Sequence, residues 1–589
     1  MKIIFKEHQN KVLNFFKESN TRGLLLYHGL GSGKTITSIG VTELYKNDVV
    51  CIVPASMRTQ WKNELKKVGV KNKYDIYSYE EISLLINKYI LSLNNNKSNK
   101  SNNKSNKSNK SNNNNKSNKS NNNKSNKSNN NNKSNNNKIN INSINDLDIK
   151  LLDNKFIIID EAHRLRNNGN ITKRILKATK NIFKILLLTG TPMVNGPEDI
   201  TNLANLIYGD KVMPISIKGF NDKFYKSKYK KLPPKNKRCM VYSEITCLDN
   251  GFIINSKSKY CKYHQYMHDK RLPLKKRKEI KFNSKSLSLT NEKLRIKSAR
   301  TASKHRIRIP NKIKFNENIQ CLTSYYFPNN LTDYPKVIKK TEKVKMTKKQ
   351  NLEYKGALKL LSKNELNSIE TGNKFTGNMG TLNAFLNLTR RISNISKTED
   401  TSFKLDKILE YCIKGPKPII IYSNWLSSGL EPMAKLLDSK GLTHFEFTGN
   451  KTDKQKKEIV NKYNTRQIDV ILLSSSGAEG LDLKNTRQIH IMEPHWNNAK
   501  INQVIGRGIR YKSHQLLPNN QRIVNVYYWV AEPENGKDKK GSDEYLYELS
   551  DKKVENMTIF LDILVKSSIE NKDCKNVIKL KKKLLNKIF

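Results

Sequence analysis

Cysteine is scarce in this chain: seven residues in 589, an odd number, at positions 51, 239, 247, 261, 321, 412 and 574. That count excludes a small secreted scaffold held by disulfides and fits a reducing compartment. Long hydrophobic runs are also missing. The longest, such as Ile419-Ile420-Ile421, fall far short of the ~18 residues a membrane span needs. At the N-terminus Lys6, Glu7 and His8 interrupt any apolar stretch, which excludes a secretory signal peptide. Acidic residues are few, 52 against 110 Lys and Arg, for a formal charge of +58. A balance this positive speaks of partners rather than fold, and points to nucleic acid or an anionic surface.

What is present divides the chain. Residues 94–138 are almost pure Asn, Lys and Ser and hold no apolar residue. Such a tract cannot offset its ordering entropy, so a disordered surface insert is expected. Removing its 11 lysines still leaves +47. Around it, short apolar runs alternate with amphipathic segments: Gly23 to Tyr27, Val49 to Val53, Phe156 to Ile159 and Ile185 to Leu188. A second set follows at Pro418 to Tyr422, His444 to Phe447, Asp469 to Leu473, Gln488 to Met492 and Val524 to Tyr528. Buried parallel strands read this way, so the expectation is α/β, with two doubly wound parallel-sheet lobes. Expected boundaries are 1–210 for lobe 1, 211–334 for a basic inter-lobe accessory region, 335–535 for lobe 2 and 536–589 for a helical tail. Within the accessory region, Lys270 to Lys314 carries 17 basic and two acidic residues. That is either a solvated face or a phosphate-contacting surface.

Three groups of residues carry chemistry. Gly29-Leu30-Gly31-Ser32-Gly33-Lys34-Thr35 follows an apolar strand and opens a helix. Glycines there let successive N–H groups turn onto an anion, Lys34 reaches β/γ-phosphates and the Thr35 hydroxyl binds Mg²⁺. The strict pattern has Gly where His28 stands; the bland alternative is a glycine-rich turn without a ligand. Next, Asp160-Glu161-Ala162-His163 ends an apolar strand. Asp160 would hold Mg²⁺ through its water shell and Glu161 would activate the attacking water. Elsewhere an Asp-Glu pair is an ordinary surface pair. Finally Arg507 and Arg510, three apart in lobe 2, would stabilise charge on a transferring phosphoryl group. The second lobe has no phosphate loop of its own, so the pair makes sense as a cover over nucleotide held by the first.

In joint order these segments resemble superfamily 2 helicases and translocases. Gln9 is placed like the adenine-reading glutamine, Gly29 to Thr35 like motif I and Val53 to Ser56 like motif Ia. Asp160 to His163, a DEAH box, is similar to motif II, and Leu188 to Pro192 to motif III. Ser474 to Asp482 is similar to motif V and Gln503 to Arg510 to motif VI. Two stretches, Asp160 to Asn167 and Leu188 to Asn195, are similar to Swi/Snf-type translocases of double-stranded DNA. Ser324-Tyr325-Tyr326, Glu493 to Asn497, Ser513-His514, Leu517-Pro518 and Asp573-Cys574 resemble a viral branch. That branch includes the poxvirus early transcription factor small subunit and nucleoside triphosphatase I, and His28 does not depart from it. The resemblance implies RecA-like lobes with ATP and Mg²⁺ in the cleft. It carries Gln9, Gly29 to Thr35, Gly480 and Asp482 over as ATP-binding residues, and Ser56, Thr191, Ser475 and Ser476 as nucleic-acid contacts. It also implies a large DNA virus, a viral RNA polymerase or larger transcription-factor subunit as partner, and a place in the virion and host cytoplasm.

Other readings stay open. Cys239, Cys247, Cys261, His264 and His268 lie in the inter-lobe region; Cys261-x-x-His264 has ligand-like spacing, but the Cys239–Cys247 gap exceeds that of paired zinc ligands. Zinc and free thiols are both compatible with this pattern. Three functions compete: an ATPase translocating on duplex DNA, an RNA-unwinding ATPase, and a mainly structural transcription subunit with weak ATPase.

Overall fold

The computed structural model describes residues 4–29, 31–105, 149–231, 306–327, 333–371, 375, 377–449, 451–475, 481–534, 540–571 and 574. Two six-stranded sheets, each wholly parallel, organise them. The first holds β1 (Gly23–His28), β2 (Val49–Val53), β3 (Tyr74–Ser78), β4 (Phe156–Asp160), β5 (Lys184–Thr189) and β8 (Thr323–Tyr326), in the order β3-β2-β4-β5-β1-β8. The second holds β9 (Lys336–Lys345), β10 (Ile419–Ser423), β11 (His444–Phe447), β12 (Val470–Ser474), β13 (Gln488–Ile491) and β14 (Ile523–Glu532), in the order β11-β12-β10-β13-β14-β9. A short antiparallel pair, β6 (Tyr225–Lys231) with β7 (Arg306–Pro310), leads out of and back from the middle region.

Central strands are buried on both faces, and this is why their sequences are unbroken apolar runs. Every residue of β4, β5 and β12 is buried. Edge strands obey a different rule. β9 pairs with β14 over ten residues, yet its own sequence, Lys336-Val337-Ile338-Lys339-Lys340-Thr341-Glu342-Lys343-Val344-Lys345, is mostly charged and mostly exposed. Lysines along an outer strand discourage further pairing. The same charge hides the strand from a hydrophobicity pattern.

Three features depart from the sequence expectations. β8, inside the stretch expected as an inter-lobe region, completes the first sheet by pairing with β1. The helix Tyr79–Ser105 runs into the Asn/Lys/Ser tract; residues 106–148, and so most of the tract, fall outside the described residues, as do 232–305. Last, Cys321 and Cys574 form a disulfide across 253 residues of sequence, where the scarcity of cysteine had pointed to a reducing compartment. Cys51 and Cys412 are free and buried.

A single long helix, Ser542–Lys566, joins the lobes. At its start, Asp543 is fully buried in lobe 2, 3.4 Å from Lys404 Nζ, and accepts the Ala531 N–H at 3.1 Å. Further along, the ring of Phe560 meets Phe315 at 4.8 Å and Phe220 at 5.7 Å in the core of lobe 1.

Candidate active site

β1 ends at His28, and the chain then turns to start the helix Lys34–Thr42. Gly31 (φ 73°) and Gly33 (φ 80°) adopt left-handed backbone, and a Cβ on Gly33 would lie 2.6 Å from Gln9 Nε2. The left-handed backbone favours glycine at both positions. Gln9 is fixed against this turn: its Oε1 accepts the Lys6 N–H at 2.8 Å and its Nε2 donates to Gly33 O at 3.4 Å. Lys34 Nζ donates to His28 O (3.0 Å) and Gly29 O (3.2 Å). Burial lowers its pKa, and the charges of Glu161 and Asp160 oppose that shift. Thr35 lies in the first turn of the same helix. Leu30, Ser476 and Gly480 fall outside the described residues.

Strand order places β5 between β1 and β4, so Thr189 stands between the phosphate loop and the acids. Asp160 Oδ1 accepts the Glu161 N–H and Oδ2 accepts Trp61 Nε1–H, both at 2.9 Å. Glu161 has φ 51°, a left-handed conformation rare for a residue with a side chain. Tyr79 holds that turn, its hydroxyl donating to Asp160 O (2.6 Å) and Glu161 O (3.1 Å). Glu161 Oε2 lies 3.3 Å from His163 Nδ1, which is also 3.1 Å from Thr189 Oγ1. Burial and the neighbouring Glu161 push Asp160 up; Glu161 is held down, because His163, Lys34 and Arg507 outweigh its burial.

Lobe 2 closes the site with the helix Asn498–Gly508. Gln503 Nε2 lies 3.4 Å from His163 Nε2, a polar contact between the lobes. Arg507 is buried, and Met57, Glu161, His163, Arg164, Gln503 and Arg507 line a cavity of ≈ 10 Å³. That is at the lower limit of the space that holds one water. Arg510 donates from Nε to Gly506 O at 3.0 Å and lies 3.6 Å from Asp482 Oδ1. Burial and then Arg507 push its pKa down to about 10. A roomier concavity of ≈ 360 Å³ at Arg58, Lys62 and Tyr74 lies away from these groups.

Lys34, Asp160, Glu161, Arg507 and Arg510 therefore converge, although residues 34 and 510 are at opposite ends of the chain. Thr191 sits beside them, its N–H donating to Thr189 Oγ1 at 3.0 Å. Ser56 lies in the short turn Ala55–Met57, and the Ser475 carbonyl accepts Lys500 Nζ at 2.9 Å. Trp61 and Tyr79 had no signal in the sequence, since both lie outside any motif. His163 and Gln503 were within quoted motifs, but nothing in the linear order pairs them.

The SNF2-related domain family matches residues 8–282, and the helicase conserved C-terminal domain matches residues 403–512. The chain carries an SNF2-related domain followed by a helicase C-terminal domain. It is an ATP-hydrolysing enzyme, similar to proteins of large DNA viruses. A protein of Acanthamoeba polyphaga mimivirus, named as an ATP-dependent RNA helicase, is 29% identical over 97% of this chain and 98% of its own. The African swine fever virus protein named termination factor NPH-I homolog is 26% identical over 33% of this chain and 37% of its own. Nucleoside triphosphatase I of Choristoneura biennis entomopoxvirus is 26% identical over 37% of each. Among solved structures, the Sulfolobus solfataricus SWI2/SNF2 ATPase core in complex with dsDNA covers 97% of this chain and 98% of its own, at 15% identity and a TM-score of 0.28. So loose an overlay adds nothing to the strand order.

No cluster of three or more His, Cys, Asp or Glu able to hold a metal occurs among the described residues. Cys239, Cys247, Cys261, His264 and His268 lie outside them. No described helix is long and apolar enough to cross a membrane.

Proposed function

We propose that the protein couples ATP hydrolysis to movement along duplex DNA in the transcription of a large DNA virus. The observation that carries this reading is the one-water cavity with Glu161 of one lobe and Arg507 of the other in its wall. Glu161, kept ionised, takes a proton from a water in that position as it attacks the γ-phosphate. Arg507 and Arg510 offset the charge that spreads onto the transferring group. Lys34 leaves the carbonyls of His28 and Gly29 for the β/γ-phosphates; Gly29 to Gly33 present N–H groups to them, and Gln9 orients the base. Gly480 and Asp482 belong to the same nucleotide set. Thr35 and Asp160 would hold Mg²⁺, which supplies further charge neutralisation; the aimed carboxylate of Asp160, fixed by Trp61, fits a hard cation.

Because the site is shared between lobes, hydrolysis and lobe closure are one event. Ser56, Thr191, Ser475 and Ser476 are then the backbone contacts that move with each cycle. The units are 1–210 and 335–535 as ATPase lobes, 211–334 as an accessory region whose β8 joins the sheet of the first lobe, and 536–589 as tail. A viral polymerase or transcription-factor subunit is the partner, in virion and host cytoplasm; the relative named as a termination factor supports the place in transcription. A second reading, an ATP-dependent RNA helicase, is favoured by the name of the mimivirus relative. ATPase rates with duplex DNA, single-stranded DNA and RNA in parallel separate the two. Stimulation by duplex DNA above the others supports translocation; stimulation by RNA alone overturns it.

A further inference from the structure

The segment after the long C-terminal helix lies along β8, the strand that flanks the phosphate-loop strand. Cys321 N–H donates to Ser567 O at 2.8 Å, and Ile569 N–H donates to Thr323 O at 2.9 Å. The Cys321–Cys574 disulfide closes the same clasp covalently. Between these ties, Glu570 sets both carboxylate oxygens on β8. Oε2 accepts the Tyr325 N–H at 2.8 Å, and Oε1 accepts the Ser324 hydroxyl at 2.5 Å.

A hydroxyl has one proton. Ser324 gives its proton to Glu570, so its oxygen is left to accept, and the group it faces is His28 Nε2 at 2.8 Å. This fixes His28 as the tautomer that donates from Nε2. The ring is fully buried, and its Nδ1 meets no hydrogen-bond partner, so Ser324 is what holds it at one end. Burial first, then His8 and Lys34, push its pKa down to about 3, which keeps the ring neutral. His28 is also the last residue of β1, and its carbonyl takes Lys34 Nζ. Two hydrogen bonds thus connect a tail carboxylate to the residue on which the phosphate lysine rests.

We propose that Glu570, acting through Ser324 and His28, is a positioning residue for the phosphate loop, so that the C-terminal strap sets the affinity for ATP. The proposal rests on the assignment of Gly29 to Thr35 as the ATP site. The strap hangs from a helix whose first turns are rooted in lobe 2, so a lobe without a phosphate loop acts on the loop of the other. Nothing in the motif pattern assigns Glu570 or Ser324 a role. A preorganised loop binds with less ordering cost, so the expected effect is on binding rather than on the chemical step.

The test uses the full-length protein and a fluorescent ATP analogue, with steady-state ATPase alongside. Glu570→Ala and Ser324→Ala are each expected to weaken binding about tenfold and raise the KM for ATP equally, with kcat within about twofold. The double variant should be no worse than either alone, because both break one chain. Ser324→Thr keeps a hydroxyl and should bind near the wild-type level. Cys574→Ser leaves the Glu570 bonds and should weaken binding by a smaller factor. Unchanged affinity in Glu570→Ala overturns the proposal. So do strictly additive losses, or a Ser324→Thr defect equal to that of Ser324→Ala, since both mark general loosening of β8. Wild-type protein that fails to bind the analogue overturns the ATP assignment itself.

Discussion

Glu161 stands in left-handed backbone, braced by the Tyr79 hydroxyl and faced by His163, Lys34 and Arg507. Strain of this kind persists where the surroundings over-determine it, and here they aim a carboxylate at the inter-lobe cavity. Glu161→Gln keeps the shape and removes the base. ATP binding should survive and kcat should fall by about 10²–10⁴, read by single-turnover hydrolysis; near-normal turnover would defeat the assignment. Trp61→Phe keeps a buried ring and removes the indole bond to Asp160. A modest rise in KM for Mg-ATP is expected, on the order of the tenfold that one hydrogen bond to a charged group represents. A different prediction follows from buried histidines. Burial lowers His28 and His490 to about 3 and His495 to about 4, from an ordinary 6.5. The unfolded chain therefore binds protons that the folded one refuses. Stability is full above pH 6.5 and falls as pH drops towards the folded values, by up to about 1.4 kcal/mol per histidine per pH unit. Thermal unfolding at pH 7 and pH 5 measures it, and a flat Tm over that interval would contradict it.

At the scale of elements, what was legible in the sequence followed burial. β4, as Phe156-Ile157-Ile158-Ile159, and β12, around Ile471-Leu472-Leu473, are central and dry, so their sequences declare them. β9 is coded by lysines because it is an edge, and β3 has only one fully buried residue, Ser78. Neither gives an apolar run. Ser324-Tyr325-Tyr326 was visible as a motif but not as a strand, since four residues are too short to show a period. In the site, the motif residues were readable and their supports were not: Trp61, Tyr79 and Glu570 act across folds of the chain that no spacing records. The insert illustrates the converse. The apolar side of the helix Tyr79–Ser105, Ile82, Ile86 and Ile90, is buried before the Asn/Lys/Ser tract begins. Deleting residues 94–138 should therefore leave ATPase nearly unchanged and shift stability by about a kcal/mol, since loop length enters only logarithmically. A collapse of Tm on deletion would show that the tract is structural.

Across the whole molecule, the proposed ATP site is a joint between lobes. Lobe 1 supplies Lys34, Asp160 and Glu161; lobe 2 supplies Gln503, Arg507 and Arg510 and lies against them through the Gln503–His163 contact. The helix Ser542–Lys566 ties the lobes a second time, with Asp543 fixed in one core and Phe560 in the other. In the proposed cycle, opening and closing would bend or slide this helix, and the strap beyond it would carry the motion to β8. With a net charge of +58, nucleic-acid affinity is expected to fall steeply with salt, in proportion to the phosphates the chain contacts. The most direct test of a shared site is Arg507→Ala, measured as ATP hydrolysis at saturating duplex DNA together with equilibrium ATP binding. The expected result is a loss on the order of 10³ in kcat with ATP still bound. Turnover near the wild-type rate would mean that lobe 1 works alone, and would contradict the account.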